Sequence, residues 1–238
     1  MGVAKFLTNA PALQRLRAGE KAELSVLTYG LAPTDILNGR TAVYRTSGVV
    51  TIVDTPPIFA PTIFKSRITL SVVFPVAEPF SSVNRLDVSM CLNNGVATEI
   101  KSFYMDTQVR TRAVRIGWLN LLGGVDHYTF RGAKSRLITA ENSTYIKELA
   151  YPVDAEDRGE SVLGSSITDE RTLVSEFETE STFIWLSEIL SSPVVWVVEG
   201  GTRLPIVVTS TSVPVENDKL IQMELKYRTA NERIAQNG

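Results

Sequence analysis

Short runs of β-branched and aromatic residues, separated by turn-forming residues, recur through most of this 238-residue chain. Each run is bounded by Gly, Pro, Asn or Asp, the pattern of strands joined by turns. We therefore predict a mainly β protein, built as β-sandwich or barrel lobes. The predicted strands are Glu23–Thr28, Thr41–Val53, Arg67–Phe74, Arg85–Leu92, Ala97–Thr107, Ala113–Asn120, His127–Phe130, Leu137–Ala140, Arg171–Glu176, Val194–Val198, Leu204–Val208 and Leu220–Tyr227.

Two segments depart from this pattern. Near residues 181–191, Phe183, Leu186 and Ile189 recur at helical spacing, and Pro193 follows them, which predicts one short packed helix. At the N-terminus, Pro11 and Gly19 flank Ala12, Leu13, Leu16 and Ala18. This spacing predicts a short helix, or an arm used in assembly.

The polar stretch from Asp154 to Ser166 predicts a long loop, and we place a domain boundary within it. The predicted organisation is an N-terminal arm over residues 1–21, a β-rich lobe over 22–153 and a second β lobe with the helix over 167–238. A single continuous domain is the alternative.

Charge and hydropathy exclude two classes of partner. The chain carries 24 basic and 26 acidic residues, and this balance argues against direct reading of nucleic acid, which requires a clustered positive surface. No stretch approaches the roughly 18 apolar residues of a membrane helix. We therefore predict no membrane span and no secretory signal at the N-terminus.

The residues that usually carry chemistry are scarce. The one histidine, His127, follows Asp126, and neighbours on a strand point to opposite faces, so the two are not expected to form a catalytic pair. The one cysteine, Cys91, fits a buried core position better than a nucleophile. We predict no catalytic residue, no metal site and no cofactor. Two distant carboxylates arranged for glycoside hydrolysis remain a third, less favoured option.

A proline-stiffened loop, Thr55–Pro61, supplies the candidate assembly contacts Pro56, Pro57, Ile58, Phe59 and Pro61. The alternative is a surface loop packed on its own domain.

The segment from Ile116 to Phe130 contains the pattern W-L-N-x-L-G-G-x-D-x-Y-x-F. It resembles a segment of predicted tail-region structural proteins in phages and prophages of Bacteroidetes-type bacteria. The C-terminal order is also similar to theirs: a strand, a short helix, Val194-Val195-Trp196 and a closing strand with Tyr227. The matching parts cover roughly half of the chain. The resemblance implies a role in virion structure and no reaction.

The resulting expectation is a structural subunit of a phage tail, baseplate or neck, made in the host bacterial cytoplasm and incorporated into the virion. Its expected partners are further copies of itself, in a ring-like homo-oligomer, and other virion proteins. The alternative function is a carbohydrate-binding β-sandwich for host attachment, in which exposed aromatics such as Tyr29, Tyr44, Phe59, Phe64 and Trp118 would line a sugar-binding face.

Overall fold

A computed structural model describes residues 3–17, 19–32, 35–58, 68–74, 80–106, 113–148, 159–210, 221–230 and 234–237. The prediction of a mainly β protein with one short helix is confirmed. The helix is α1, Glu180–Ser191, and Phe80–Ser82 forms a single 3-10 turn. The strands are β1 Val3–Phe6, β2 Leu13–Arg17, β3 Ala22–Tyr29, β4 Leu37–Arg45, β5 Val50–Asp54, β6 Ile68–Phe74, β7 Val83–Leu92, β8 Gly95–Val96, β9 Lys101–Asp106, β10 Val114–Leu119, β11 Val125–Phe130, β12 Lys134–Ile146, β13 Glu160–Val174, β14 Val195–Glu199, β15 Thr202–Val208, β16 Glu224–Thr229 and β17 Ile234–Asn237.

The strands form three sheets. A three-stranded sheet has the order β1-β3-β6, and a six-stranded sheet has the order β2-β9-β7-β4-β5, with β8 paired to β7. An eight-stranded sheet has the order β11-β10-β14-β15-β16-β13-β12, with β17 paired to β13. Every pairing in the eight-stranded sheet is antiparallel. Its two outermost strands on this path are β11 and β12.

Two hydrophobic cores lie within the described part of the chain. The first is built from strands that precede residue 106, and Phe6 and Phe74 meet in it edge to face. The second lies between α1 and the eight-stranded sheet, where Trp118 and Trp185 have ring centroids 5.1 Å apart. The first core is built from residues before 106 and most of the second from residues after 113, and the domain boundary predicted within 154–166 stays a prediction. Ala10 is the exception, since it lies in the second core.

The helix α1 forms where its sequence predicts it. Thr179 is the N-cap, and its hydroxyl accepts from the backbone N–H of Thr182. Glu180 places a negative charge in the first turn, and the helix ends two residues before Pro193. The apolar face of α1 is buried in the second core.

Three local predictions are wrong. The N-terminal segment contains strands β1 and β2 instead of a helix, because β2 finds a parallel partner in β9 and buries Leu16. The predicted strand Thr41–Val53 is a hairpin, β4 and β5, since Gly48 adopts a φ of +82° in the turn. The predicted loop at 154–166 is strand from Glu160 onward.

Two other local predictions are confirmed. Asn93 and Asn94 adopt positive φ values of 51° and 67° in the turn between β7 and β8. Cys91 is a buried free thiol, and burial raises its pKa.

Candidate assembly surface

Strands β12 and β13 form a long hairpin that we call the arm, defined as Lys134–Ile146 together with Glu160–Glu170. The register runs from Lys134 opposite Leu173 to Ile146 opposite Glu160, with one irregularity at Ser143/Thr144. Thirteen residues of strand span about 40 Å. Only the inner end of β13, Arg171–Val174, pairs with β16, while β17 pairs with Gly164–Ile167.

Every one of the thirteen residues of β12 is exposed. The arm nevertheless carries large apolar side chains, and Ile146 is 87% exposed. The exposed members of this set are Leu137, Ile138, Tyr145, Ile146, Val162, Leu163 and Ile167. They are distributed over both faces of the hairpin, because neighbouring residues of a strand point to opposite faces. Neither core covers this surface.

At the opposite end of the eight-stranded sheet lies the β10–β11 hairpin, which contains the W-L-N-x-L-G-G-x-D-x-Y-x-F pattern. Asn120 builds its turn, because Oδ1 accepts from the backbone N–H groups of Leu122 and Gly124 at 3.0 and 2.8 Å. Gly123 has a φ of +79°, in the region that favours glycine. A Cβ on Gly124 would collide with the carbonyl oxygen of Leu7. These residues therefore fix the shape of the turn.

The alternate residues of β11 fix the hairpin to α1. The indole N–H of Trp185 donates to Asp126 Oδ2 at 2.8 Å, and Phe130 is buried in the second core. Burial raises the pKa of Asp126, although its hydrogen bonds with Thr8 and Trp185 act in the opposite direction. The Tyr128 hydroxyl donates to Glu178 Oε1 at 2.6 Å, and burial together with this carboxylate raises the pKa of Tyr128.

His127 points to the other face of β11. Its ring packs edge to face against Trp196, with centroids 6.0 Å apart. Burial and the nearby Arg115 guanidinium lower the pKa of His127 to about 3, so the imidazole is neutral at physiological pH. Asp126 and His127 therefore lie on opposite faces and do not form a catalytic pair.

A cleft of about 580 Å³ opens along β11 and separates it from β2. We call it the edge cleft, and its walls include Leu13, Gln14, Tyr128, Thr129, Arg131 and Trp185. Among the strands that the structure describes, none pairs with β11 on the side away from β10, or with β2 on the side away from β9. The edge cleft therefore lies between two free strand edges.

Charged groups stiffen the floor of the edge cleft. The Arg131 side chain is only 3% exposed, and its Nη1 lies 3.3 Å from Asp106 and 3.7 Å from Glu176. Its Nε is buried without a hydrogen-bond partner. Arg15 Nη1 donates to Glu176 Oε2 at 2.5 Å and connects β2 to the segment that follows β13. The cleft is thus a preformed polar and aromatic site.

The loop residues predicted as assembly contacts are only partly described. Pro56 and Pro57 are exposed, while Phe59 and Pro61 lie outside the described residues. Ile58 forms a bridge with Leu37 and packs against the first core. The assembly role of this loop stays a prediction.

Of the aromatic residues predicted for a sugar-binding face, Trp118 is fully buried. Tyr44 is partly buried, with the Arg85 guanidinium 4.2 Å from its ring centroid, and Tyr29 is exposed. Phe59 and Phe64 lie outside the described residues.

Within the described ranges, no three His, Cys, Asp or Glu side chains are grouped closely enough to hold a metal ion. The described part of the chain also contains no helix with the length and apolarity needed to cross a bilayer. No family model matches the chain, and no curated protein matches it.

The arm and the edge cleft were both missed in the sequence. Only Leu137–Ala140 and Arg171–Glu176 were predicted as strand, because the intervening Ser, Thr, Asn and Glu residues lack a regular apolar face. The edge cleft joins residues from β2, β11 and α1 that lie far apart in the chain. The one available signal was the run Ser161–Ile167, whose Val and Ile residues interrupt the polar stretch.

Proposed function

We propose that this chain is a structural assembly subunit of a bacteriophage or phage-like particle, from the tail, baseplate or neck. It acts by self-association and by contact with other virion proteins, without a catalytic step. It is made in the host cytoplasm and ends in the virion. The observation that carries the proposal is the arm, a hairpin whose outer strand β12 is exposed throughout and which carries exposed apolar side chains near both of its ends.

The energetics of the arm support self-association. The outer strand β12 pairs on one side only, and β17 supports just Gly164–Ile167 of its partner strand, so the arm is a narrow ribbon of limited stability. The arm leaves the side chains of seven large apolar residues exposed, on both faces of the hairpin. Covering the arm with a neighbouring subunit would both stabilise the hairpin and remove this surface from water.

The resemblance of the Trp118–Phe130 segment supplies the phage part of the proposal. The contacts of this segment are consistent with a structural role: Asn120 and Gly124 shape a turn, and Trp118 and Phe130 lie in the second core. Asp126 is engaged by Trp185. None of these contacts needs a substrate to explain it.

The alternative, a carbohydrate-binding module, receives less support. A sugar-binding sheet face would carry a row of exposed aromatic rings. The exposed tyrosines Tyr29, Tyr104 and Tyr145 instead lie on β3, β9 and β12, which belong to three different sheets.

The first test measures self-association. Light scattering after size exclusion, followed by negative-stain electron microscopy across a concentration series, should show rings, tubes or defined multimers of the wild-type chain. The double variant Ile138→Asp with Leu163→Asp should remain monomeric, because it places two charges in the proposed interface.

A matched control uses Ile184→Asp with Val194→Asp. These side chains are exposed to a similar extent but lie on or beside α1, away from the arm. We expect this variant to assemble like the wild type, and circular dichroism should show both variants folded. A wild-type chain that stays monomeric throughout, or equal loss in both variants, would contradict self-association through the arm.

The phage assignment needs its own measurement. Particles released from the source cells after prophage induction can be purified and analysed by mass spectrometry. The chain should be present at a copy number of several per particle, as a repeating subunit requires. Its absence from such particles would leave self-association intact and remove the virion assignment.

A further inference from the structure

The eight-stranded sheet ends on both sides in an unpaired edge within the described residues: β12 at one end and β11 at the other. Free strand edges pair readily with another strand, and natural proteins usually cover or interrupt them. Here no described strand pairs with the outer edge of β12 in the arm. The two edges are different surfaces on one subunit, which is the requirement for a head-to-tail contact.

We propose that β12 of one copy enters the edge cleft of the next copy and pairs with β11, so that the sheet continues from subunit to subunit. This inference rests on the proposed self-association and names the two surfaces that meet. The contact is strand addition, in which backbone hydrogen bonds supply affinity and the flanking side chains set the register.

The acceptor side is prepared for an incoming strand. Strand β3 and the segment after β1 cover the beginning of the β10–β11 hairpin, since Val125 N–H donates to Ser25 Oγ and Asn120 Nδ2 donates to the Leu7 carbonyl. Beyond that point, His127–Thr129 line the edge cleft. Three residues of strand give about 10 Å of pairing edge.

The acceptor is also held in place before binding. Trp185 holds Asp126, Glu178 holds the Tyr128 hydroxyl, and Glu20 Oε1 accepts from the Thr129 hydroxyl at 2.9 Å. Asp126, Tyr128 and Thr129 are therefore each anchored to a different partner, and the ring of His127 packs against Trp196. A strand edge fixed in this way loses little conformational entropy when a second strand pairs with it.

The donor side is the arm, for two reasons. β12 offers thirteen residues, all exposed, whereas the edge strands of the two smaller sheets, β1, β2, β5 and β6, offer four to seven. Leu137 and Ile138 project to opposite faces of β12. Whichever face of β12 turns towards the walls of the edge cleft, it therefore places an apolar side chain against Tyr128 or Leu13. A second copy of this chain is thus the occupant that matches the edge cleft.

The test is site-specific crosslinking between two differently tagged populations. One population carries Thr139→Cys on β12, and the other carries Leu13→Cys in the wall of the edge cleft. The native Cys91 is fully buried, so the introduced thiols are the ones that a short bismaleimide reaches. The matched control pairs Thr139→Cys with Ile52→Cys on the exposed edge strand β5, which lies in the six-stranded sheet.

We expect the Thr139–Leu13 crosslink to exceed the Thr139–Ile52 crosslink by about tenfold, because docking raises the local concentration of the two thiols. Multimers with equal yields, or with the larger yield at Ile52, would overturn the pairing of β12 with β11 while leaving self-association standing. A chain that stays monomeric and forms neither crosslink would overturn both proposals. Wild-type protein treated in the same way should give no crosslinked dimer.

Discussion

The indole N–H of Trp185 on α1 donates to Asp126 Oδ2 on β11 at 2.8 Å, and both side chains are buried. This bond joins the helix to the edge strand of the eight-stranded sheet. Because burial raises the pKa of Asp126, the carboxylate is an unfavourable charge that its donors only partly stabilise.

Asp126→Asn should therefore retain most of the stability, since an amide oxygen still accepts from Trp185 and the buried charge is removed. Trp185→Phe should cost about 1–3 kcal/mol, because it leaves the carboxylate with one donor fewer.

The stability of the wild type relative to Asp126→Asn should depend on pH, because the pKa of Asp126 is higher in the folded than in the unfolded state. The wild type should lose stability relative to Asp126→Asn as pH rises from the unfolded pKa of about 3.9 through the folded pKa. Urea unfolding at several pH values measures both effects. A constant difference across the series would contradict the raised pKa.

His127 should stay neutral in the folded protein across mildly acidic conditions. Its folded pKa is about 3, below the ordinary value of 6.5, so only the unfolded state takes up this proton in between. The contribution of His127 to stability is therefore present above about pH 6.5 and decreases as pH falls towards 3, by a few kcal/mol at most.

The chain has a single histidine, so its ring signals in an NMR spectrum are unambiguous. We expect the chemical shifts of these signals to remain constant between about pH 7.5 and 5. A titration with a midpoint near 6.5 would show that the ring is accessible to solvent.

Gly124 should tolerate no side chain. A Cβ there would collide with the backbone of Leu7, so Gly124→Ala should cost about 2–3 kcal/mol or prevent folding. A Cβ on Gly164 of the arm would meet no atom within 4 Å, and the φ of Gly164 is not positive. Gly164→Ala should accordingly be neutral or stabilise by about 0.5 kcal/mol. Thermal unfolding of the two variants provides the comparison, and similar melting temperatures would contradict the close approach at Gly124.

Glu20 should contribute strongly to the contact between the two cores. It accepts from Arg115 Nη1 at 2.9 Å and from the Thr129 hydroxyl at 2.9 Å, and the Arg115 side chain is largely buried. Glu20→Ala should cost about 3–5 kcal/mol, because it leaves the Arg115 guanidinium without its carboxylate.

The control for Glu20 is Glu224→Ala. Glu224 pairs with Lys226 at 3.5 Å, and both side chains are about half exposed, so its loss should cost at most about 1 kcal/mol. Denaturant unfolding of both variants tests the difference. Equal costs would mean that solvent screens the Glu20–Arg115 pair as well.

The sequence predicted the features that depend on local pattern. The helix at Glu180–Ser191, the Asn93–Asn94 turn and the buried Cys91 all follow from spacing or side-chain chemistry within a few residues. The features that it did not predict depend on distant pairing. β2 is a strand because it pairs with β9, with Leu13 opposite Ser102. The polar part of the arm is strand because β12 pairs with β13 there, with Ser143 opposite Gly164.

The exposure of all thirteen residues of β12 has a consequence for how such a chain changes over generations. A substitution on this strand alters a surface that neither core needs, so under the proposed self-association it would be screened by recognition between copies and hardly at all by folding. Substitutions that accumulate on β12 would divide related chains into groups that share one fold but no longer associate with one another. Compatibility between copies would then diverge while the architecture stayed the same.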